Sequence, residues 1–308
     1  MHAASDQAES ASLRTLLRSL GQIVLQSNAF TGACLVAAWL ICDPRLACAA
    51  LTGAVAANTG AVLAGYSEAD TRDGLHGFNG ALAGLAAFTY IADDATAAAA
   101  AILAGLATVW GLEPWSRWLR TRGLSVYSSP CLIVTWLWLP LIKPGAAPLA
   151  PAHLATFARI PDGLLAGLAQ TGFASGAMAG VLVLAGIAAS SWRLAMWALA
   201  GASMCSAAHL LLGASLASFH AGLLGFNGAL TALALADTGW VAVFGGTALV
   251  VVLQQAAGHY GLPVMTAPFV AATWSVQTLA RRRHGKRATA TPKPVELRRP
   301  PRPVTRTG

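Results

Sequence analysis

Charged residues are scarce in this sequence, and none lies in the middle of a long apolar segment. Only 10% of the 308 residues are charged, whereas a soluble domain carries roughly 25%. All twelve acidic residues stand outside the apolar segments or at their ends, and the basic residues follow the same rule. Because ion-coupled carriers and proton pumps normally keep an ionisable group at mid-membrane depth, this pattern disfavours ion coupling.

The sequence also lacks a recognisable set of residues for catalysis or metal binding. No Ser/His/Asp, Cys/His or paired-carboxylate combination falls at a common depth, so we expect no enzymatic activity. The five cysteines lie in or beside apolar segments without metal-ligand spacing. We therefore predict no metal and no cofactor. The first 20 residues are polar and lack the short apolar core of a cleaved signal peptide.

Apolar segments dominate what remains. The sequence is 56% hydrophobic with a mean hydropathy of +0.59, and a bilayer is spanned by about 20 apolar residues in a helix. We therefore predict an all-α integral membrane protein. Ten apolar runs can be traced, five in each half of the chain: 20–42, 46–66, 77–91, 95–112 and 124–142, then 164–190, 194–216, 225–236, 240–256 and 262–280.

One nine-residue segment occurs twice. Gly74–Leu82 reads GLHGFNGAL and Gly222–Leu230 reads GLLGFNGAL, so the copies differ only at His76 and Leu224. The chain is therefore a duplicated unit, and a duplicated membrane protein commonly has its site where the two copies meet. The shift of 148 residues also aligns Gln22 with Gln170 and Gly32 with Gly180; after the polar connection Glu113–Arg122 the shift is 138, which aligns Ser128 with Thr266, Pro130 with Pro268 and Trp136 with Trp274.

The number of runs predicts how the halves are oriented. Five runs per half is an odd number, so we expect the second half to enter the membrane from the opposite side, as an inverted-topology repeat. Runs 77–91 and 225–236 are short enough to be re-entrant half-helices. The predicted organisation is a polar N-terminal segment at 1–19, a first transmembrane repeat at 20–142, a linker at 143–163, a second transmembrane repeat at 164–280, and a basic, proline-rich, disordered tail at 281–308.

The net charge of +8 comes mainly from that tail, which holds half of all Lys and Arg residues. Basic residues beside a membrane span favour the cytoplasmic side and contact anionic lipid. We therefore expect both termini in the cytoplasm and no nucleic-acid partner.

The paired motifs resemble those of the urea transporter family. The resemblance rests on Gly77-Phe78-Asn79-Gly80 and Gly225-Phe226-Asn227-Gly228, and it covers residues 20–280. Gly21-Gln22 and the segment from Leu262 to Phe269 support it. The resemblance implies a homotrimer in a bacterial inner membrane, with one central pore per protomer at the repeat interface. Such a pore conducts urea passively and without a cofactor.

The resemblance also implies roles for individual residues. Phe78 and Phe226 would each form one wall of a flat slot, opposite Leu25 and Phe173 respectively. Leu25 departs from the family's usual phenylalanine, and the hydroxyl position Ser128 departs from its usual threonine. Leu82 and Leu230, one helical turn after each phenylalanine, would narrow the passage. The implied pore residues are Gln22, Leu25, Phe78, Leu82, Ser128, Gln170, Phe173, Phe226, Leu230 and Thr266.

Structural roles compete for some of these residues, and other solutes fit the same chemistry. The alternative function is an ion-coupled or uncoupled carrier or channel for another small neutral solute, such as a short amide, ammonia or water. The competing structural roles are helix-starting caps for Asn79 and Asn227, helix-bridging bonds for Gln22 and Gln170, and hydrogen bonds back to their own helices for Ser128 and Thr266.

Overall fold

All regular secondary structure in the described part of the chain is helical. The structure, a computed structural model, describes residues 2–142, 160–261 and 263–290, and it contains no strand there. The helices of the first half are α1 His2–Gly21, α2 Ala29–Cys42, α3 Pro44–Leu63, α4 Glu68–Arg72, α5 Gly77–Tyr90, α6 Asp94–Val109, α7 Glu113–Thr121 and α8 Ser129–Trp138, with 3₁₀ turns at Gln22–Val24 and Leu139–Leu141.

The second half repeats this order. Elements α1 to α6 recur as α9 to α14, and α8 corresponds to α15, whereas α7 has no counterpart among the described residues. The helices are α9 Ile160–Ala169, α10 Ala177–Ser190, α11 Trp192–Leu211, α12 Leu216–His220, α13 Phe226–Leu235, α14 Trp240–His259 and α15 Ala267–Ala290, with a 3₁₀ turn at Gln170–Gly172.

The boundaries differ in places from those predicted. The segment Glu113–Arg122, interpreted as a connection, folds as helix α7, because Trp115, Trp118 and Leu119 give it an apolar side. The last helix continues to Ala290, ten residues into the predicted tail, and α9 begins at Ile160, inside the predicted linker. Residues 143–159 and 291–308, the rest of that linker and tail, lie outside the described residues.

Several helices are long and apolar enough to cross a membrane. Four meet this criterion alone: 44–63, 94–121, 192–211 and 240–259. Two further candidates are bent pairs, α1 with α2 at 76° and α9 with α10 at 68°. Helices 129–141 and 226–235 are apolar but shorter. The chain is therefore a multi-pass helical membrane protein, and the count of five crossings in each half stays a prediction.

The two bends have the same local cause. Leu25 and Phe173 end the 3₁₀ turns with φ of 61° and 62°, a left-handed conformation that non-glycine residues seldom adopt. Each lies at the bend between two consecutive helices, which measures 76° between α1 and α2 and 68° between α9 and α10. The two residues predicted to face the phenylalanine walls are therefore located at the two equivalent bends of the repeat.

Glycines let the motif helices pack backbone to backbone on their neighbours. A Cβ added at Gly53 of α3 would overlap the carbonyl oxygen of Gly80 in α5, and one at Gly201 of α11 would overlap that of Gly228 in α13. Close approach of this kind is how transmembrane helices gain contact without a hydrophobic driving force. The GFNG glycines therefore fix the position of the phenylalanines beside them.

The halves are joined by contacts between equivalent elements. Helix α2 packs on α10, its counterpart in the second half, where Thr31 Oγ1 donates to the carbonyl of Gly186 at 2.8 Å. Farther along α2, Trp39 Nε1 donates to the carbonyl of Gly172 at 2.6 Å. One buried apolar core contains residues of both halves, including Leu35, Trp39 and Val183.

A second connection between the halves is reciprocal. The indole of Trp136 donates to the carbonyl of Pro263 at 3.2 Å, and that of Trp274 donates to the carbonyl of Ser125 at 2.8 Å. Trp136 aligns with Trp274 and Ser125 with Pro263. The tryptophan of each half therefore donates a hydrogen bond to the equivalent carbonyl of the other half.

Candidate functional site

Two hydroxyl groups meet where the halves join. Ser128 Oγ and Thr266 Oγ1 lie 2.7 Å apart and share a hydrogen bond. Each residue directly precedes a helix, α8 or α15. The alternative in which each hydroxyl bonds back to its own helix is therefore wrong for this pair. A hydroxyl both donates and accepts hydrogen bonds, so the pair can act as donor or as acceptor toward a neutral polar solute.

The residue before each hydroxyl has an unusual backbone conformation. Tyr127 and Met265 have φ of 47° and 41°, again the left-handed region. Asparagines of the repeated motif hold both turns: Asn79 Nδ2 donates to the carbonyl of Tyr127 at 2.9 Å, and Asn227 Nδ2 donates to that of Met265 at 3.1 Å. The motif thus fixes the hydroxyl pair through the turn in front of it.

Asn79 also caps a helix, but not its own. Its Oδ1 accepts a hydrogen bond from the backbone N–H of Cys131, in the first turn of α8, at 3.1 Å. The interpretation of Asn79 as the cap that begins α5 is therefore wrong, since His76 occupies that position. Likewise Gly225, not Asn227, precedes α13. Four N–H groups at a helix start need external partners, and here a neighbouring helix supplies one.

Asn227 has a partner that sequence reasoning missed. Gln254 of α14 accepts a hydrogen bond from Asn227 Nδ2 at 3.0 Å and donates to the carbonyl of Leu223 at 3.0 Å. Gln254 belongs to no repeated motif, so only its position in an apolar run signalled a role. It holds together the second copy of the nonapeptide and the long helix beside it.

The two predicted glutamines make equivalent bonds. Gln22 Nε2 donates to the carbonyl of Asp73 at 3.0 Å, and Gln170 Nε2 donates to that of Ala221 at 3.1 Å. Both acceptors directly precede a copy of the nonapeptide. Both glutamines therefore bridge two parts of the chain, although each bond joins the end of a helix to a loop and not one helix to another. Because each amide is held through its nitrogen, its oxygen is the end left to accept hydrogen bonds.

The predicted first slot lies in a cavity of about 450 Å³. Gln22, Leu25 and Phe78 line it together, and Tyr127 forms part of its wall. Phe78 is buried and Leu25 half-buried. We call this space the first-half cavity. It brings together the 3₁₀ turn that holds Gln22 and Leu25 and the start of α5, which carries Phe78.

The remaining predicted residues do not line this cavity. Gln170, Phe173 and Phe226 belong to the second half, where the turn that holds Gln170 packs against α13. Leu230 is buried with Tyr127 and Phe269, in a cluster shared by both halves that Leu25 also contacts. Leu82 is buried in the main core.

The first-half cavity also carries ionisable groups. Asp70, His76, Glu113 and Arg120 line it beside the aromatic wall. Glu113 and Arg120 form an ion pair at 2.7 Å, with only 17% of the Glu113 side chain exposed. Burial lowers the pKa of His76 below its ordinary value, and the charges of Asp70 and Glu113 oppose that shift. Helix α7, unique to the first half, supplies two of these groups.

Comparison with known proteins was made at two levels. A family model described as "UT: Urea transporter" matches residues 13–281, which is most of the chain. A comparison with curated protein sequences gave no match.

Proposed function

Since the chain belongs to the urea transporter family, whose members are membrane transporters and not enzymes, we propose that it is a channel. In this proposal urea moves down its concentration gradient through an uncharged path between the two halves. The observation that carries the proposal is the hydroxyl pair of Ser128 and Thr266, 2.7 Å apart at the junction of the halves.

The chemistry of urea suits such a path. Urea is flat and neutral, with four N–H donors and one carbonyl acceptor, and losing its water without compensation would cost several kcal/mol. Two hydroxyls and the free oxygens of Gln22 and Gln170 replace part of that water. Partial replacement is an advantage, because a conducting site must also release its solute.

Flat slots on either side of the hydroxyl pair would select for shape. In the first, Phe78 and Leu25 line one cavity. In the second, Phe226 would face Phe173, which has the same backbone conformation as Leu25. Two apolar walls admit a flat molecule edge-on and reject a hydrated ion, and Leu82 and Leu230 narrow the passage behind them.

The distribution of charge favours conduction without coupling. Two ion pairs at equivalent positions of the repeat, Arg45 with Asp94 and Arg193 with Asp237, lie at helix ends and are solvent-exposed. No acidic or basic residue interrupts the middle of an apolar run. A carrier driven by sodium or protons would need such a group within the membrane.

The proposed setting follows from the repeat and the tail. Reciprocal bonds of Trp136 and Trp274 suit two halves related by a two-fold axis, and we place that axis in the membrane plane, which gives inverted topology. We further propose a homotrimer in a bacterial inner membrane with cytoplasmic termini. The basis is the family for the trimer and the basic C-terminal segment for the orientation.

The proposal is tested by urea flux into proteoliposomes, measured by stopped-flow light scattering. With identical ions on both sides, we expect urea to equilibrate faster than in protein-free vesicles. An imposed sodium or proton gradient should leave the final internal urea concentration unchanged. Accumulation of urea above the external concentration would contradict a channel and support the coupled carrier. Entry of formamide, ammonia or water in place of urea would assign a different solute.

A further inference from the structure

The two ends of the proposed pathway differ in their ionisable groups. The nonapeptide copies are identical except that the first has His76 and the second Leu224. Asp70 is replaced by Ser218 at the equivalent position, and helix α7, with Glu113 and Arg120, has no counterpart. Titratable side chains therefore surround the first copy of the motif at positions where the second copy has none.

His76 is held in an unusual state for a histidine. Its Nε2 is buried and has no hydrogen-bond partner, and its ring lies against that of Tyr66 at 5.5 Å. A neutral imidazole tolerates this arrangement, because the unpaired nitrogen can be the one without a proton. A protonated imidazole has two N–H donors, and leaving one of them buried and unpaired carries a desolvation cost.

The charged groups that act on His76 come from two elements, α4 and α7. Asp70 of α4 and Glu113 of α7 are acidic, and Arg120 of α7 is basic. On the far side of the loop, Arg18 of α1 donates to the carbonyl of Arg72 at 3.3 Å. An imidazolium at position 76 would therefore find a carboxylate acceptor by moving into the cavity, toward Asp70 or Glu113.

We propose that His76 is a proton-sensitive gate at the first end of the pathway, closing the first-half cavity when it is protonated. The proposal rests on the proposed urea flux. Drawing Glu113 toward His76 competes with the Glu113–Arg120 ion pair and brings α7 toward the start of α5. Phe78 stands two residues after His76 and lines the same cavity. Acid should therefore narrow the entrance to the first slot.

The experiment compares urea flux at about pH 7.5 and about pH 5, with equal pH on both sides of the vesicle membrane, a range in which histidine is the side chain that ordinarily titrates. We expect wild-type flux to fall at least about twofold at the lower pH and to recover when the pH is restored. His76→Leu, the residue of the second copy, and His76→Gln should lose this dependence, so that each variant has the same flux at the two pH values.

The matched control is His220→Leu. His220 lies in the second half and also has a buried nitrogen without a partner, Nδ1, but it is not among the residues that line the first-half cavity. This variant should keep the acid response of the wild type. A response that survives in either folded His76 variant, disappears in His220→Leu, or fails to reverse overturns the gate. Equal wild-type flux at both pH values overturns the gate alone, whereas no flux at either pH overturns the proposed function and the gate with it.

Discussion

Ser128 and Thr266 are 138 residues apart in sequence, and their hydroxyl groups share a hydrogen bond of 2.7 Å. They are equivalent positions of a duplicated unit, so the bond joins a feature to its own copy. Each hydroxyl stands behind a left-handed turn that an asparagine of the nonapeptide holds. The repeated motif and the hydroxyl pair therefore belong to one hydrogen-bonded arrangement.

Replacing Thr266 by valine keeps the shape of the side chain and removes its hydroxyl. We expect urea flux to fall by about tenfold, which corresponds to the loss of one hydrogen bond worth about 1.4 kcal/mol in the path. Thr266→Ser is the matched control, since serine is the residue of the first copy, and it should conduct like the wild type. Stopped-flow flux and size-exclusion chromatography report conduction and fold separately. Wild-type flux in a folded Thr266→Val protein would make the hydroxyl structural.

Asn79→Ala should lower the stability of the folded protein. The variant loses the bond to the carbonyl of Tyr127 and the cap on Cys131 N–H. We expect the free energy of unfolding to fall by about 2–4 kcal/mol, since two buried groups lose their partners. Asn58→Ala, which removes one bond to Ser19, is the control and should cost less. Thermal unfolding in detergent makes the comparison, and equal melting temperatures for the two variants would count against the role of Asn79.

Leu25→Phe would give the first slot the aromatic wall that the second already has at Phe173. The backbone conformations of the two positions agree, with φ of 61° and 62°, so we expect the variant to fold. Urea should still pass, whereas flux of N,N′-dimethylurea should drop by about tenfold, as is typical for a small change in an apolar pocket. Phe173→Leu should relax discrimination in the other slot. An unchanged ratio of the two fluxes in both variants would mean that neither residue faces the solute.

Trp136→Phe and Trp274→Phe each remove one bond between the halves. Each bond is worth about 1 kcal/mol, so each variant should lower the melting temperature slightly. Because the bonds are reciprocal but separate, the effects should add in the double variant. Differential scanning fluorimetry on the wild type, the two single variants and the double variant completes this double-mutant cycle. A double variant that loses far more than the sum would indicate one cooperative contact at the junction.

Much of this arrangement was predictable because it recurs in the sequence. A near-identical nonapeptide in two places can only mean two copies of one local structure, and that led to Phe78, Phe226, Gln22 and Gln170. Helical segments were predictable from apolar length alone. Their equivalence was predictable from a shift of 148 residues, which becomes 138 after Glu113–Arg122.

Contacts between the copies were beyond sequence reasoning. Nothing local to Ser128 indicates that its partner is Thr266, since the bond depends on how α2 and α10 bring the halves together. The role of Asn79 was missed for the same reason, because the helix that it caps begins 50 residues later. Helix α7 was missed because its nine residues are polar on average and it was interpreted only as the connection between two apolar runs, although its apolar residues share one side.

Passive conduction past the hydroxyl pair is tested by urea entry into proteoliposomes by stopped flow, without any ion gradient, for wild type and Thr266→Val side by side. Wild-type entry should be well above that of protein-free vesicles, and entry for the variant should be clearly slower. Wild-type entry equal to that of protein-free vesicles, with the reconstituted protein still folded, would contradict passive conduction.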